Sequence, residues 1–527
     1  MLSVNPKLLI CLGIILTLAS GCGKSKPAPT ATPMPSPAPI AALVESKNFI
    51  FIDCPFQAIQ GMPSETMQSI QCANLTVPED RKQPDGPKIQ LAVAIVKSSS
   101  ATPKPDPLLV LFGNPGIGLE LATSLPYIFD TIYTQRDLII IDQRGTGYSQ
   151  PSFNCPEFDK VSYESVVQNL SMQETNDRYV EASRTCANRV KATNANLQAY
   201  TTTAVAADLE DLRLALGYNQ WNIITFYDGS RLVLTMMRDY PQGIRSVIMD
   251  SVIPLQANPL AEWGINIGIT FDRLFQHCAD DEQCNKAFPQ VKSSFYALLT
   301  QLDAQPVRVD VADLNSGEQY KVMLDSDRLI NFFITVLNSF NANDALSEVP
   351  RMIYQLRDGK TEAISRLMGS HPPFTSGALA MAQWVGCNEE YHFTTPEQIA
   401  KVNENIDLNL QKFFDASVEG TTRACAEWGS PGAPAIENQP VTSSIPALLL
   451  VGDLNCSTPP AWAEWTAQTL SNSTTVEFYG IGEIVYASSL WSACADNIVD
   501  AFLETPIAKP DISCASKPAR TVWITLP

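Results

Sequence analysis

Only three histidines, His277, His371 and His392, occur in 527 residues. A chain so poor in imidazole offers few groups for general-base catalysis or metal ligation. No two of its 13 cysteines are spaced as CxxC, so no zinc site and no other metal site is predicted. No cofactor is expected either. Positive charge is scarce: 36 Lys and Arg against 55 Asp and Glu give a net charge of −19. No basic run offsets that balance, and an acidic surface repels phosphate, which excludes nucleic acid as a partner. The apolar run Leu8–Leu18 is too short to span a bilayer.

What the N-terminus does have is the layout of an export signal. Lys7 supplies the positive region, Leu8–Leu18 the apolar one, and small residues Ala19-Ser20-Gly21 precede Cys22. That arrangement resembles the bacterial lipobox, in which the cysteine becomes the lipidated first residue. Residues 1–22 are therefore expected to be a lipoprotein signal peptide. Residues 23–47 carry prolines at 27, 29, 33, 35, 37 and 39 among Ala, Ser and Thr. Such a segment buries no core and forms an extended spacer, on the order of 70 Å at about 3.1 Å per residue. The expected location is extracytoplasmic, anchored to the membrane through the lipid.

The remaining cysteines agree with an oxidising compartment. Setting aside Cys11 and Cys22, they fall into neighbouring couples: Cys54 with Cys72, Cys155 with Cys186, Cys278 with Cys284, Cys387 with Cys425, and Cys494 with Cys514. Nearest-neighbour pairing is the economical expectation and leaves Cys456 alone, although spacing does not fix connectivity.

Short runs rich in Val, Ile and Leu predict buried parallel strands at Ile89–Val96, Leu108–Phe112, Leu138–Ile141, Ile223–Phe226, Val247–Met249, Ala447–Val451 and Thr475–Tyr479. Helices lie between some of them. One is expected to be capped by Thr203, with Val205, Leu209, Leu212 and Leu216 on one face, and to end at Gly217. Another runs from Ser230 to Tyr240 before Pro241. Alternating strands and helices indicate a parallel sheet flanked by helices. Residues 256–440 break the rhythm with helical patterns, such as Leu329, Phe333, Val336 and Phe340, and with a hairpin over Val307–Met323 that turns near Asn315-Ser316-Gly317. They read as a mainly helical cap inserted between core segments 48–255 and 441–527.

Four stretches carry a family resemblance. Gly113-Asn114-Pro115-Gly116 follows one strand, and Asp142-Gln143-Arg144-Gly145-Thr146-Gly147-Tyr148-Ser149 follows the next. Arg231-Leu232 through Pro241 leads to Asp250-Ser251-Val252, and Gly452-Asp453-Leu454-Asn455 precedes Thr458-Pro459-Pro460. In this order they resemble the prolyl and tripeptidyl aminopeptidases of the α/β-hydrolase superfamily, over roughly residues 48–520. The resemblance implies an α/β-hydrolase fold and a Ser-His-Asp serine hydrolase.

The residues at the implied catalytic positions differ from that pattern. A nucleophile elbow places a serine on a sharp strand-to-helix turn flanked by small residues. Aligned on Gly229 and Arg231, this chain has Tyr227 at the nucleophile and Thr225 at the first elbow glycine. Asn455 occupies the acid position, and Glu483, within Gly480-Ile481-Gly482-Glu483, the histidine position. Asn114 and Asp228 fall on the oxyanion-loop positions. Substitutes are few: the three histidines lie in the expected cap, Ser230 comes too late for the elbow, and Asp228 needs a one-residue slip. Cys456, without a nearby base, stays a thiol.

Two readings follow. The first is a pseudoenzyme that keeps the fold and pocket to bind a peptide, a small molecule or an envelope protein. The second is an active hydrolase in which Glu483 activates Tyr227, an arrangement known from sialidases. In either case Tyr227 is expected to donate a hydrogen bond to Glu483, with the Asn455 amide behind it. Oligomeric state is not legible. The leader yields a direct prediction: metabolic labelling with a fatty-acid analogue marks the wild type and spares Cys22→Ser, and equal labelling of both would sink the lipid assignment.

Overall fold

The computed structural model of the chain describes residues 48–57, 64–113, 118–313, 317–338, 342–370, 379–404, 406–486, 492–515 and 523–524. The signal, the tether and Cys22 lie outside them. Eleven strands are present among the described residues: β1 (Phe49–Ile52), β2 (Ile70–Pro78), β3 (Lys88–Val96), β4 (Leu108–Phe112), β5 (Leu138–Ile141), β6 (Trp221–Phe226), β7 (Ile244–Asp250), β8 (Val307–Ala312), β9 (Gln319–Leu324), β10 (Ala447–Gly452) and β11 (Ser473–Phe478). Nine form one sheet in the order β1-β2-β3-β5-β4-β6-β7-β10-β11, and β8 and β9 form the expected hairpin. Its turn residues Asn315 and Ser316 lie outside the described set.

From β5 to β11 every pairing is parallel. The run Ile89–Val96 corrects the expectation of a parallel strand, because β3 pairs antiparallel with both β2 and β5. The link from Pro78 to Lys88 is too short for a parallel crossover, so β2 and β3 can only turn back on one another. Each face of the sheet is covered. Helices Thr202–Ala215 and Gly229–Asp239 bury Val205, Leu209, Leu212, Leu232 and Val233 on one side. Helix Ser492–Glu504 buries Ile498, Val499 and Phe502 on the other. The first of these is capped by Thr201 rather than Thr203: the Thr201 hydroxyl accepts from the Ala204 N–H at 3.3 Å, and Gly217 ends the turn at φ +74°.

The stretch 142–149 explains itself in contacts. The buried Asp142 carboxylate accepts from the N–H groups of Gly118, Leu119 and Tyr148, holding the loop after β4 against that after β5. A Cβ at Gly147 would stand 2.1 Å from Asp142 Oδ2, so only glycine fits there. Arg144, wholly buried, forks onto Asp208 with two 2.7 Å bonds and donates to the carbonyls of Glu79 and Ala199.

Between β7 and β10 the chain is mainly helical, including Pro259–Asp280, Ser326–Leu337 and Leu408–Trp428. Leu329, Phe333 and Val336 are buried as expected, while Phe340 lies outside the described residues. The helical layer also takes in an earlier part of the chain. Helices Pro156–Val167 and Met172–Lys191 join it, with the Asn176 amide donating to Ala416 O at 2.8 Å and the Ser183 hydroxyl to Ala424 O at 2.9 Å.

The cysteines pair as nearest neighbours. Cys54 is bonded to Cys72, Cys155 to Cys186, Cys278 to Cys284, Cys387 to Cys425, and Cys494 to Cys514. Cys54 with Cys72 ties the segment after β1 to β2, and Cys387 with Cys425 joins the turn Gly386–Glu390 to the helix Leu408–Trp428. Cys456 is a buried free thiol.

Removing Arg144 takes away the bidentate partner of a buried carboxylate. Arg144→Met is expected to lower unfolding stability by about 1–3 kcal/mol, read from the urea midpoint, because Asp208 keeps only Arg81 and the carbonyls of Glu79 and Ala199 lose a donor.

Candidate functional site

Strands β4, β6 and β7 end in register, with Phe112, Phe226 and Asp250 side by side. The loops beyond this carboxyl edge are where open α/β sheets place their sites. After β6 the chain turns at Tyr227, whose φ of +53° lies in the left-handed region that non-glycine residues rarely enter. Four hydrogen bonds hold it there. Tyr227 N donates to Asp250 O at 3.0 Å, Ser230 N and Ser230 Oγ donate to Tyr227 O at 3.0 and 2.6 Å, and Ile253 N donates to Ser230 Oγ at 2.8 Å. A Cβ at Gly229 would meet Thr225 Oγ1 at 2.2 Å and Gly113 O at 3.2 Å, so the sharp turn into the helix depends on that glycine. This is the backbone geometry a nucleophile elbow needs, with a tyrosine at its apex.

Asn455 follows β10 and is fully buried. Its amide oxygen accepts from the N–H groups of Ser457 and Thr458, at 3.1 and 2.7 Å. Its NH₂ donates to Ser251 Oγ at 3.0 Å and to the backbone carbonyl of Glu483 at 3.1 Å. Ser251, itself left-handed at φ +71°, donates its hydroxyl to the same carbonyl. One strand over, the Asp250 carboxylate accepts from Val485 N at 3.1 Å and Tyr486 N at 2.8 Å. The loop that carries Glu483 is thus gripped by its backbone.

This arrangement corrects the expected Tyr227–Glu483 hydrogen bond. Among the described residues no bond joins the two side chains, and the Asn455 amide reaches the Glu483 main chain rather than its carboxylate. The Tyr227 ring packs against Ile253, Ala257 and Trp462. The two groups feel each other through charge alone. Burial raises the Tyr227 phenol well above its ordinary value of 10.0, and the carboxylates of Glu483, Asp228 and Glu390 add to the shift. Glu483 is pushed up to about 8, chiefly by burial and then by Asp228 and Asp250. Asp250 rises to about 7 by burial, against the three hydrogen bonds it accepts.

The helical layer supplies partners that the sequence reading missed. Arg231, buried on the elbow helix, points its Nη atoms at the carbonyls of Pro254, Leu255, Glu389 and Glu437, at 3.4–3.5 Å. Its Nε stands 3.6 Å from Glu390. Glu389 is buried and accepts from Thr202 N at 2.9 Å, and burial pushes its carboxyl up to about 7. Both acids lie on a π-helical turn, Gly386–Glu390. The adjacent acids Glu389 and Glu390, beside the disulfide cysteine Cys387, were the available signal.

No described histidine joins this group. His277 stacks on Tyr479 at 4.0 Å, with Nε2 3.0 Å from Asp453 Oδ2. His392 packs beside Phe393. His371 and Asn114 lie outside the described residues. Cys456 points its thiol at Asn338 Oδ1, 3.1 Å away, and burial lifts it to about 12. The cluster of Cys155, Glu157 and Cys186 holds two sulfurs already joined in a disulfide, which leaves no thiolate for a metal.

Comparison with known proteins agrees with this architecture. The family described as alpha/beta hydrolase fold matches residues 106–486. A serine protease, Hip1, of Mycobacterium tuberculosis is 27% identical over 227 residues, which are 41% of this chain and 42% of that protein. A tripeptidyl aminopeptidase of Streptomyces coelicolor is 29% identical over 194 residues, 35% of each chain. The alignments thus span less than half the length of these relatives. Among solved structures, a proline iminopeptidase from Mycobacterium smegmatis superposes with a TM-score of 0.35 at 15% identity, covering 82% of this chain and 98% of that one.

The buried acids set a pH dependence. A carboxyl whose folded value lies above its unfolded one binds more protons in the folded state, so stability falls as pH rises between the two values. For Glu483 that window runs from 4.5 to about 8. Between about pH 5 and pH 8 the wild type should therefore lose more stability than Glu483→Gln, measured as the change in urea midpoint. Equal losses would show that Glu483 titrates normally.

Proposed function

Because the chain belongs to the α/β-hydrolase family, we propose that it is an exported, lipid-anchored member that has lost serine-hydrolase turnover and uses the elbow region to bind a ligand or partner. The observation that carries this reading is the left-handed backbone at residue 227, kept in full, with a tyrosine where the chemistry needs a serine. On this reading Tyr227, Asn455 and Glu483 stand at the three catalytic positions of the relatives named a serine protease and a tripeptidyl aminopeptidase. Losing triad members costs roughly 10⁴ to 10⁶ in turnover. Here all three are exchanged, and the described histidines are engaged elsewhere.

The alternative, an activated tyrosine nucleophile, has the electrostatics against it. A base must be deprotonated and within hydrogen-bond reach of the group it activates. Glu483, at about 8, is mostly protonated near neutral pH, and it makes no bond to a phenol that is itself pushed well above 10.0. The same surroundings suit a cation. Asp228 and Glu390 act on the Tyr227 phenol by their charge, and an ammonium group, such as the amine of a peptide, would meet that negative potential and favour the ionised form of Glu483. The five disulfides fit the extracytoplasmic location. Among the described residues no helix is long and apolar enough to cross a membrane, and Cys22 is the proposed anchor.

Fluorophosphonate probes, which report activated serines, are expected to leave the full chain unlabelled under conditions that label an active serine hydrolase. An adduct on any residue of the folded part would overturn the loss of turnover.

A further inference from the structure

A second site lies in the helical layer. Helix Ser326–Leu337 presents Asp327, Asn331 and Thr335, four residues apart, to a cavity of about 270 Å³. Residues at this spacing share one helix face. Trp263 and Phe413, ring centroids 6.4 Å apart and tilted by 54°, line the same cavity, as does Phe332. The cavity therefore has an aromatic wall and a polar stripe.

The charges decide what fits. Arg328 lines the same space, but its guanidinium is spent: Nη1 pairs with Asp325 and Nη2 donates to Leu170 O, both at 2.5 Å. Asp325 also caps the helix by accepting from Arg328 N at 2.9 Å. Asp327 is the exception. Among the described residues its carboxylate has neither a hydrogen bond nor an ion pair, and Oδ1 is buried without a partner. Burial, with Asp325 and Asp303 nearby, raises its carboxyl above the ordinary value against the charges of Lys412 and Arg328, and the Lys412 Nζ is itself directed at Asp303, 3.4 Å away. A buried acceptor left unpaired is destabilising, more so when charged. Aromatic faces carry negative potential and attract cations, most strongly when both are desolvated. An anion would find no free positive group here, and a wholly apolar ligand would leave Asp327 unpaired.

We infer that this cavity binds a small organic ammonium ion, its cationic head between Asp327 and the Trp263 and Phe413 rings and its apolar body against Phe332. The volume lies at the lower end of ligand pockets, about 300–1,000 Å³, so the ligand is compact, of the size of choline. The site is separate from the elbow, and the inference stands whether or not the elbow binds a ligand.

Titration calorimetry on the full chain with choline tests it. The expected result is saturable binding at one site, with the uncharged carbon isostere of choline weaker by about tenfold or more. Asp327→Asn, which keeps the side-chain shape, should weaken choline by about tenfold while its melting temperature stays at or above that of the wild type. Trp263→Leu should weaken it as well. No binding at millimolar choline, equal affinity for the isostere, or an unchanged affinity in Asp327→Asn would overturn the site. Binding lost in Glu483→Gln but kept in Asp327→Asn would place the cation at the elbow and would equally overturn it.

Discussion

The left-handed backbone of Tyr227 is the constraint around which the candidate site is built. A non-glycine residue in that region costs of order 1–3 kcal/mol and persists only where its surroundings over-determine it. Here the carbonyl of Asp250 takes its N–H, and Ser230 takes its carbonyl twice, from the main chain and from the hydroxyl. Gly229 must then stay bare, because Thr225 already fills the space a Cβ would need. Thr225 and Gly229 form one packed unit. The turn also fixes where the elbow helix starts, and so where Arg231 points. In this chain the turn carries a phenol at its apex.

A second dependence follows across the sheet edge. The loop bearing Glu483 is fastened by Asn455, Ser251 and Asp250, each bonding to its main chain. A catalytic loop would have its side chain oriented by these neighbours. Here the side chain is the part they leave alone, and it sits among Asp228 and Asp250, which favour its protonated form. An acid held neutral by burial and like charge donates a hydrogen bond better than it accepts a proton. The Tyr227 ring, for its part, has an apolar seat against Ile253, Ala257 and Trp462.

These particulars show which parts of the molecule the sequence made legible. Strands β4, β5 and β10 are continuous apolar runs because both faces of a parallel sheet are covered, and such runs are visible without any structure, whereas β11 keeps only Val476 and Phe478 as apolar buried residues. β1 has four residues, and β2 mixes buried and exposed positions, so neither stands out. The direction of β3 depends on the length of a link, which hydrophobicity does not report. The elbow could be placed because Gly229 and Arg231 frame it. What Tyr227 touches could not, since its ring is seated by residues from 253 to 462 along the chain. Helices Pro156–Val167 and Met172–Lys191 look in sequence like part of the core. Only the bonds from Met172–Lys191 to the helix Leu408–Trp428 reveal where that helix belongs.

Arg231 ties these levels together. Its guanidinium, buried at the start of the elbow helix, is answered by carbonyls from residues 254 and 255, from Glu389 and from Glu437, with Glu390 close by. Three separate segments thus meet on one charge. Glu389 is fixed a second time, because its carboxylate takes the N–H of Thr202 at the start of a core helix. Withdrawing the turn Gly386–Glu390 from the core would break both links at once and leave a buried guanidinium short of partners, a cost of several kcal/mol. The floor of the helical layer over Tyr227 is therefore anchored to the sheet.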